Sequence, residues 1–274
     1  MSDYRIEMLE VGNLFRFKDV ISSAVERYFV LAIFLILISC NGDNVPDCFR
    51  NAGEMVRQPV DVAEFNAITV FENLNVVLKQ GDEQQVEVET GEYLLNDVSV
   101  EVKDNRLVLR NENSCNYVRD YGLTTVYITS PNITEIRSST GLLISSDGVL
   151  NYPGLTLLAE SYSNPETETT DGSFDLNLNS TTVRILVNGI AYFKLQGNTE
   201  NLNVTVAAGD SRIEANQLIA NRAIVSHRGS NDVFVNPQQS LSGVIRGTGN
   251  VISVNIPPEV DVDELFTGKL IFED

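Results

Sequence analysis

The chain has one histidine, three cysteines and a surplus of carboxylates, and these bound the chemistry open to it. His227 follows Ser226 and shortly precedes Asp232, the residue types of a nucleophilic triad. Triads are assembled from distant segments and present the nucleophile on a strained elbow. No such elbow surrounds Ser226, so His227 is expected at a corner of the chain without a catalytic role. The acids invite a second test. Asp171 and Asp175 flank one short apolar segment, Asp210 and Glu214 the next, and Asp232 a third. A glycosidase needs two carboxylates facing each other across the scissile bond. A lyase needs an acid cluster for calcium plus a base. These acids fall where turns are expected, and Asp is favoured there for backbone reasons, so no catalytic residue is assigned. No phosphate-binding loop, HExxH, EF-hand or CxxC spacing is present, and no metal or cofactor is expected.

The overall charge narrows the partners. Nineteen basic against 38 acidic residues give −19. Nucleic acid and anionic lipid are recognised by clustered Lys and Arg, and both are poor partners for this surface. The acid is read as keeping a β-rich surface soluble, with light bridging by divalent cations as the other reading.

The three cysteines divide into two roles. Phe29–Ser39 reads FVLAIFLILIS, uncharged and directly after Arg27 and Tyr28. A membrane-spanning helix needs about 20 apolar residues; this shorter run suits the core of a secretory signal. It ends in Leu37-Ile38-Ser39-Cys40, which resembles a bacterial lipobox. In lipoproteins of that kind the chain is cut before the cysteine, whose thiol then carries diacylglycerol. Residues 1–39 are therefore expected to be a signal peptide with a long leader, Cys40 the lipidation site, and 40–58 a membrane-anchored tether. The leader carries Glu7, Glu10 and Glu26 beside Arg5, Arg16 and Lys18, longer and more acidic than is usual. The remaining pair, Cys48 and Cys115, is expected to form a disulfide, because exported chains meet an oxidising compartment.

What must position these residues is β-structure. Asn, Ser, Thr, Val and Gly are abundant and Trp is absent, and no long segment after residue 30 shows helical periodicity. Segments 65–70, 75–79, 86–89, 98–102 and 107–109 read as strands separated by turns at Gly81-Asp82, Gly91 and Asp104-Asn105, an antiparallel or mixed region. Asp104-Asn105 suits a hairpin. The second half repeats. Phe174, Phe193, Ile213, Val233, Val251 and Leu270 each lead a short strand, at spacings of 19, 20, 20, 18 and 19. A second series interleaves: Val183/Ile185, Leu202/Val204, Ile224, Val244 and Leu265. A constant period of about twenty is the mark of a stacked solenoid. The glycines Gly209, Gly229, Gly247 and Gly249, with Asn250, are expected at corners with positive φ. The polar stretch 163–171 reads as a loop inserted between rungs. Tyr152 and Tyr162 flank it, either as core or as contact residues. Asn132-Ile133-Thr134, Asn179-Ser180-Thr181 and Asn203-Val204-Thr205 match the glycosylation pattern, which carries little weight in a bacterial setting.

Three segments carry a family resemblance: Gly229-Ser230-Asn231-Asp232-Val233, Gly247-Thr248-Gly249-Asn250-Val251 and Thr267-Gly268-Lys269-Leu270. They are similar to the recurring G-[ST]-G-[DN]-[VIL] motif of the GIN domain, an adhesin-head family common in Bacteroidetes lipoproteins, over about 59–274. The sections around Asp47-Cys48-Phe49 and Ser114-Cys115-Asn116-Tyr117-Val118-Arg119 resemble a flavobacterial branch of it. Most copies have lost a glycine, as at Ala208-Gly209-Asp210-Ser211. The resemblance implies a parallel β-helix-like fold, a cell-envelope location and no known catalysis.

The expected architecture is all-β: leading strands over 59–125 running into a parallel β-solenoid over 126–274. The expected function is that of a non-catalytic envelope lipoprotein at the outer membrane, facing periplasm or exterior. It would be adhesin-like or structural, binding an unidentified surface protein or glycan and no nucleic acid. The alternative is a carbohydrate-active β-helix enzyme, a polysaccharide lyase or hydrolase. Three or more carboxylates converging with a Lys or Arg in one cleft would separate the two.

Overall fold

The computed structural model describes residues 47–273 except Glu72, Ser114 and 163–168, together with Tyr28. The expected leader, the lipidation site Cys40 and most of the inserted loop lie outside the described residues. From Asp47 onward the described protein is all-β, apart from short 3-10 turns at Asp47–Phe49 and Leu95–Asp97.

The strands are β1 (Met55–Val60), β2 (Ala67–Val70), β3 (Asn75–Gln80), β4 (Gln85–Gly91), β5 (Val98–Lys103), β6 (Arg106–Asn111), β7 (Thr125–Ser130), β8 (Glu135–Ser138) and β9 (Leu143–Leu150). Then come β10 (Gly154–Ala159), β11 (Gly172–Val187), β12 (Ala191–Val206), β13 (Arg212–His227), β14 (Val233–Ile245), β15 (Val251–Ser253), β16 (Glu259–Glu264) and β17 (Leu270–Phe272). They hydrogen-bond as one continuous sheet. Because β11 to β14 are long, each contributes its first half to one ladder and its second half to another. One ladder runs β4, β7, β3, β9, then the first halves of β11 to β14, then β15 and β17. The other runs β6, β2, β8, β10, then the second halves of β11 to β14, then β16. Antiparallel strands close the N-terminal end: β1 on β4, β4 on β7 and β5 on β6.

Register decides what the core contains. Side chains alternate between faces of a strand, so residues paired in register form a row along the stack. In the first ladder that row is Val88, Val126, Val76, Ile144, Phe174, Phe193, Ile213, Val233, Val251 and Leu270. All but the terminal Leu270 are buried. The expected leading residues are thus register partners one after another. Phe174 and Phe193 stack ring on ring at 4.6 Å. Each such buried side chain contributes about 1.5–3 kcal/mol relative to an exposed one.

Three expectations need correction. The leading region is not separate from the parallel stack. The β2–β3 turn of chain lies between β6–β7 and β8–β9, parallel to both. Its contacts are made with chain that follows much later, so no local pattern announces them. The hairpin at Asp104-Asn105 is present, with φ of 50° and 59° at the two central residues, as a two-residue primed turn requires. Second, the interleaved series slips after Leu202 and Val204. Their partners are Ala223 and Val225, then Leu241 and Gly243. Ile224 and Leu265 point to solvent instead.

The third correction concerns the glycines. Of the four corner glycines and Asn250, only Gly209 has a left-handed φ, +87°. The motif glycines are needed for close approach. The carbonyl of Gly189 accepts the Asp210 N–H at 3.0 Å, and that of Gly209 the Ser230 N–H at 3.0 Å. Gly229 accepts from Thr248 and Gly249, both at 3.1 Å, and Gly247 from Gly268 at 3.1 Å. Backbone nests on backbone at this corner: a Cβ on Gly247 would lie 2.2 Å from the Gly229 oxygen, and one on Gly268 2.1 Å from the Gly249 oxygen. The Asp/Asn position of the motif joins in. Asp232 Oδ1 accepts the Asn250 N–H at 2.9 Å, and Asn250 Oδ1 accepts the Lys269 N–H at 3.0 Å.

Candidate binding surface

Strand geometry separates the residues of the apparent triad. Ser226 and His227 are neighbours on β13, so their side chains point to opposite faces. His227 is wholly buried, in register with Val206 and Ile245. Its Nδ1 accepts the Gly229 N–H at 3.4 Å, while Nε2 makes no hydrogen bond. Burial holds its pKa below the ordinary 6.5, with the Asn231 carbonyl and the Asp232 charge opposing.

The acids do not converge. Asp210 and Asp232 sit in turns as expected, Asp210 accepting the Ser230 hydroxyl at 2.6 Å. Asp175 and Glu214 do not: they lie within β11 and β13 on the outer face, where Lys194 and Arg212 neutralise them at 2.9 and 2.7 Å. The Tyr192 hydroxyl, and then Arg212, holds Glu214 below the usual carboxylate range. A general acid needs the opposite shift. The outer row reads Asp175, Lys194, Glu214, Phe234, Ile252 and Ile271. Ser253 and Phe272 pair one position further along, in the row of Val235.

The corner opposite the glycines builds a surface. There the first-ladder strands end and the chain crosses to the second ladder. Small hydroxyls tighten it by bonding the carbonyl two residues on: Ser130 to Asn132, Thr199 to Asn201 and Ser253 to Asn255. The outward positions are amides and hydroxyls. An open groove of about 480 Å³ crosses the stacked chain here, lined by Asn151, Asn179, Thr181, Asn198, Glu200 and Asn221, with Ile219 as an apolar step. Asn179 donates to Asn151 Oδ1 at 2.8 Å, Asn221 to Glu200 Oε2 at 2.6 Å and Asn201 to the Thr181 carbonyl at 3.4 Å. One carboxylate in a row of neutral donors and acceptors can hydrogen-bond a hydroxyl-rich ligand and offers no acid–base pair. Sequence reasoning missed this groove. The only signal was the recurrence of Asn along the second half of the chain, which includes the Asn179-Ser180-Thr181 tripeptide.

Other candidates resolve differently. A cleft at 62–66, 82–84 and 131–132 brings Glu64, Asp82 and Glu83 to one rim, with no Lys or Arg lining it. Among the described residues no cluster of His, Cys, Asp and Glu has the arrangement of a metal site. Tyr152 is core, its hydroxyl pushed up to about 12 by burial, whereas Tyr162 is exposed. The inserted loop is pinned at both described ends. Buried Glu160 pairs with buried Arg137 at 2.7 Å, and the Ser139 hydroxyl donates to the Thr169 carbonyl at 3.1 Å. Cys48 and Cys115 are bonded.

Comparison with known proteins adds a family and a fold. Residues 64–257 match the family model described as "Putative auto-transporter adhesin, head GIN domain". Among curated proteins none matches. The chain is similar to a solved "putative adhesin" of Bacteroides fragilis, at 22% identity and a TM-score of 0.70, covering 80% of this chain and 97% of that one. It is also similar to a "putative lipid binding protein" of Parabacteroides distasonis (13% identity, TM-score 0.57, 81% and 98% covered). A third, a "putative adhesin" of Parabacteroides merdae, shares 14% identity with a TM-score of 0.51 over 81% and 97%. At these identities the structures support the fold alone.

Proposed function

The chain belongs to the GIN domain family of auto-transporter adhesin heads, and on that premise we propose that it is a non-catalytic binding domain of the cell envelope, held to the outer membrane by a lipid on Cys40. We read the two ladders as a parallel β-solenoid with turns of about twenty residues, because successive register partners are separated by 18 to 20 positions in the first ladder from Phe174 to Leu270. Its ligand is a surface glycan. The observation that carries this is the groove at 151, 179–181, 198–200 and 219–221, whose amide and hydroxyl groups repeat along the stack as hydroxyls repeat along a polysaccharide. The family model and the Bacteroides fragilis structure carry adhesin names.

Binding of envelope-derived protein to arrayed bacterial polysaccharides tests the reading. Asn179→Ala with Asn198→Ala removes two amides from the groove. At about 0.5–1.5 kcal/mol per hydrogen bond lost, affinity should fall about 10-fold or more while the circular dichroism spectrum stays unchanged. Retained affinity in the double variant, or no glycan bound by the parent, would overturn the reading.

A further inference from the structure

A second surface lies at the N-terminal end, where the antiparallel strands close the stack. The loop 115–121 is held from beneath. Cys115 is bonded to Cys48, and the Tyr117 N–H donates to the Cys48 carbonyl at 2.9 Å. Arg119 donates to the Arg50 carbonyl at 2.7 Å and to the Cys115 carbonyl at 2.9 Å. Arg50 in turn pairs with Asp97 at 2.8 Å. The Arg50 and Arg119 guanidinium groups are thus held within the knot, and apart from exposed Asp120 its outer side is apolar and aromatic. Tyr117 is 76% exposed, Tyr121 75%, Val118 55% and Phe49 53%. The Phe49 and Tyr117 rings touch, with centroids 5.7 Å apart. Clustered exposed aromatics of this kind mark a contact surface.

The position of the patch along the chain says what covers it. Cys48 and Phe49 lie within the expected tether, shortly after Cys40. Seven peptide steps separate Cys40 from Asp47. Fully extended they reach about 25 Å, less than the thickness of a bilayer's hydrocarbon core. A lipid on Cys40 therefore confines the disulfide knot to the neighbourhood of the headgroups. Tyrosine is among the residues enriched at that depth, where its ring meets the acyl boundary and its hydroxyl stays wet. We propose that Phe49, Tyr117, Val118 and Tyr121 form a membrane-interface foot that sets the domain upright on the bilayer, with the groove-bearing coils extending away from it. This rests on the lipidation of Cys40 proposed above. The contact is apolar, and a chain of net charge −19 gains nothing from anionic headgroups, so a zwitterionic bilayer suffices.

The chain contains no tryptophan, so one introduced indole reports its own depth. Full-length lipidated protein carrying Tyr117→Trp, Tyr121→Trp or, at the opposite end of the stack, Phe266→Trp is reconstituted on phosphatidylcholine vesicles with or without brominated acyl chains, then floated on a gradient. The expected result is flotation of all three, with blue-shifted emission and loss of most of it to bromine at 117 and 121 only. Flotation without quenching at 117 and 121, or equal quenching at 266, overturns the foot while leaving the anchor standing. Failure of all three to float overturns the lipidation of Cys40 and the foot with it.

Discussion

Replacing Gly247 with alanine tests the idea that the motif glycines exist so that one turn of chain can nest on the next. The added Cβ would lie 2.2 Å from the Gly229 oxygen and 2.7 Å from the Arg228 carbonyl carbon. Both are backbone atoms, so no side-chain rotation relieves the clash. The two turns must separate by about 1 Å to restore ordinary van der Waals contact. Three hydrogen bonds at 3.1 Å span that gap: Thr248 and Gly249 to the Gly229 carbonyl, and Gly247 to that of His227. At about 0.5–1.5 kcal/mol apiece, their weakening costs about 2–4 kcal/mol. For a domain of this size that is a fall of about 5–15 °C in Tm. Gly154→Ala is the control, since a Cβ there meets nothing within 4 Å. It should stay within about 0.5 kcal/mol of the parent. Urea unfolding followed by circular dichroism reads both variants. Equal midpoints for the two would refute nesting as the reason for the glycine.

Cys48 and Cys115 should resist alkylation in envelope-derived protein until reduced, and reduction should cost about 4 kcal/mol in the chain-entropy model for a loop of this length; free thiols before reduction would count against the bond. Cys40→Ala should leave the leader uncleaved by the lipoprotein pathway and move the protein from the detergent phase to the aqueous phase, so an unchanged partition and mature mass would remove the anchor. Because the folded pKa of His227 lies below 6.5, the unfolded chain takes the proton first: its contribution is level above about 6.5 and declines as pH falls below that. His227→Val should therefore lose less stability than the parent between about pH 7.5 and about pH 5.5, the range in which only histidine normally titrates. Parallel declines would place that proton elsewhere.

The fold was legible where side chains are large and corners keep their length. Phe174, Phe193, Ile213, Val233 and Val251 stand out because each fills the first-ladder core against its register partner. The second ladder was lost because inward positions there include small residues, Ala223 and Gly243, while Ile224, next to Ala223 on β13, faces out. Corner length adds to this. The register shifts between Lys194 and Gln196 on β12, and again between Glu214 and Ile219 on β13. A count that is right before the corner is wrong after it. The β2–β3 turn lies beyond any such count, since it is stacked out of chain order.

Motif strength and function part company at the two corners. At the glycine corner, backbone meets backbone at hydrogen-bonding distance, and almost any side chain would force the turns apart. A repeated constraint of that kind leaves a repeated word in the sequence, which is why the motif is visible and also why it reports packing rather than binding. At the opposite corner Asn179, Asn198 and Asn221 lie within β11, β12 and β13 with no positive φ, so no backbone demand singles out asparagine there. Nothing about the stack requires the groove between them to be neutral or lined with amides. Contributions from separate turns of chain come together only when the register is known, and each one reads as a loop residue until then. The same reasoning applies to the aromatic foot. Tyr117 and Tyr121 carry no pattern of their own, and their exposure follows from a disulfide and an arginine knot that join residues 48–50 to 115–119 across six intervening strands.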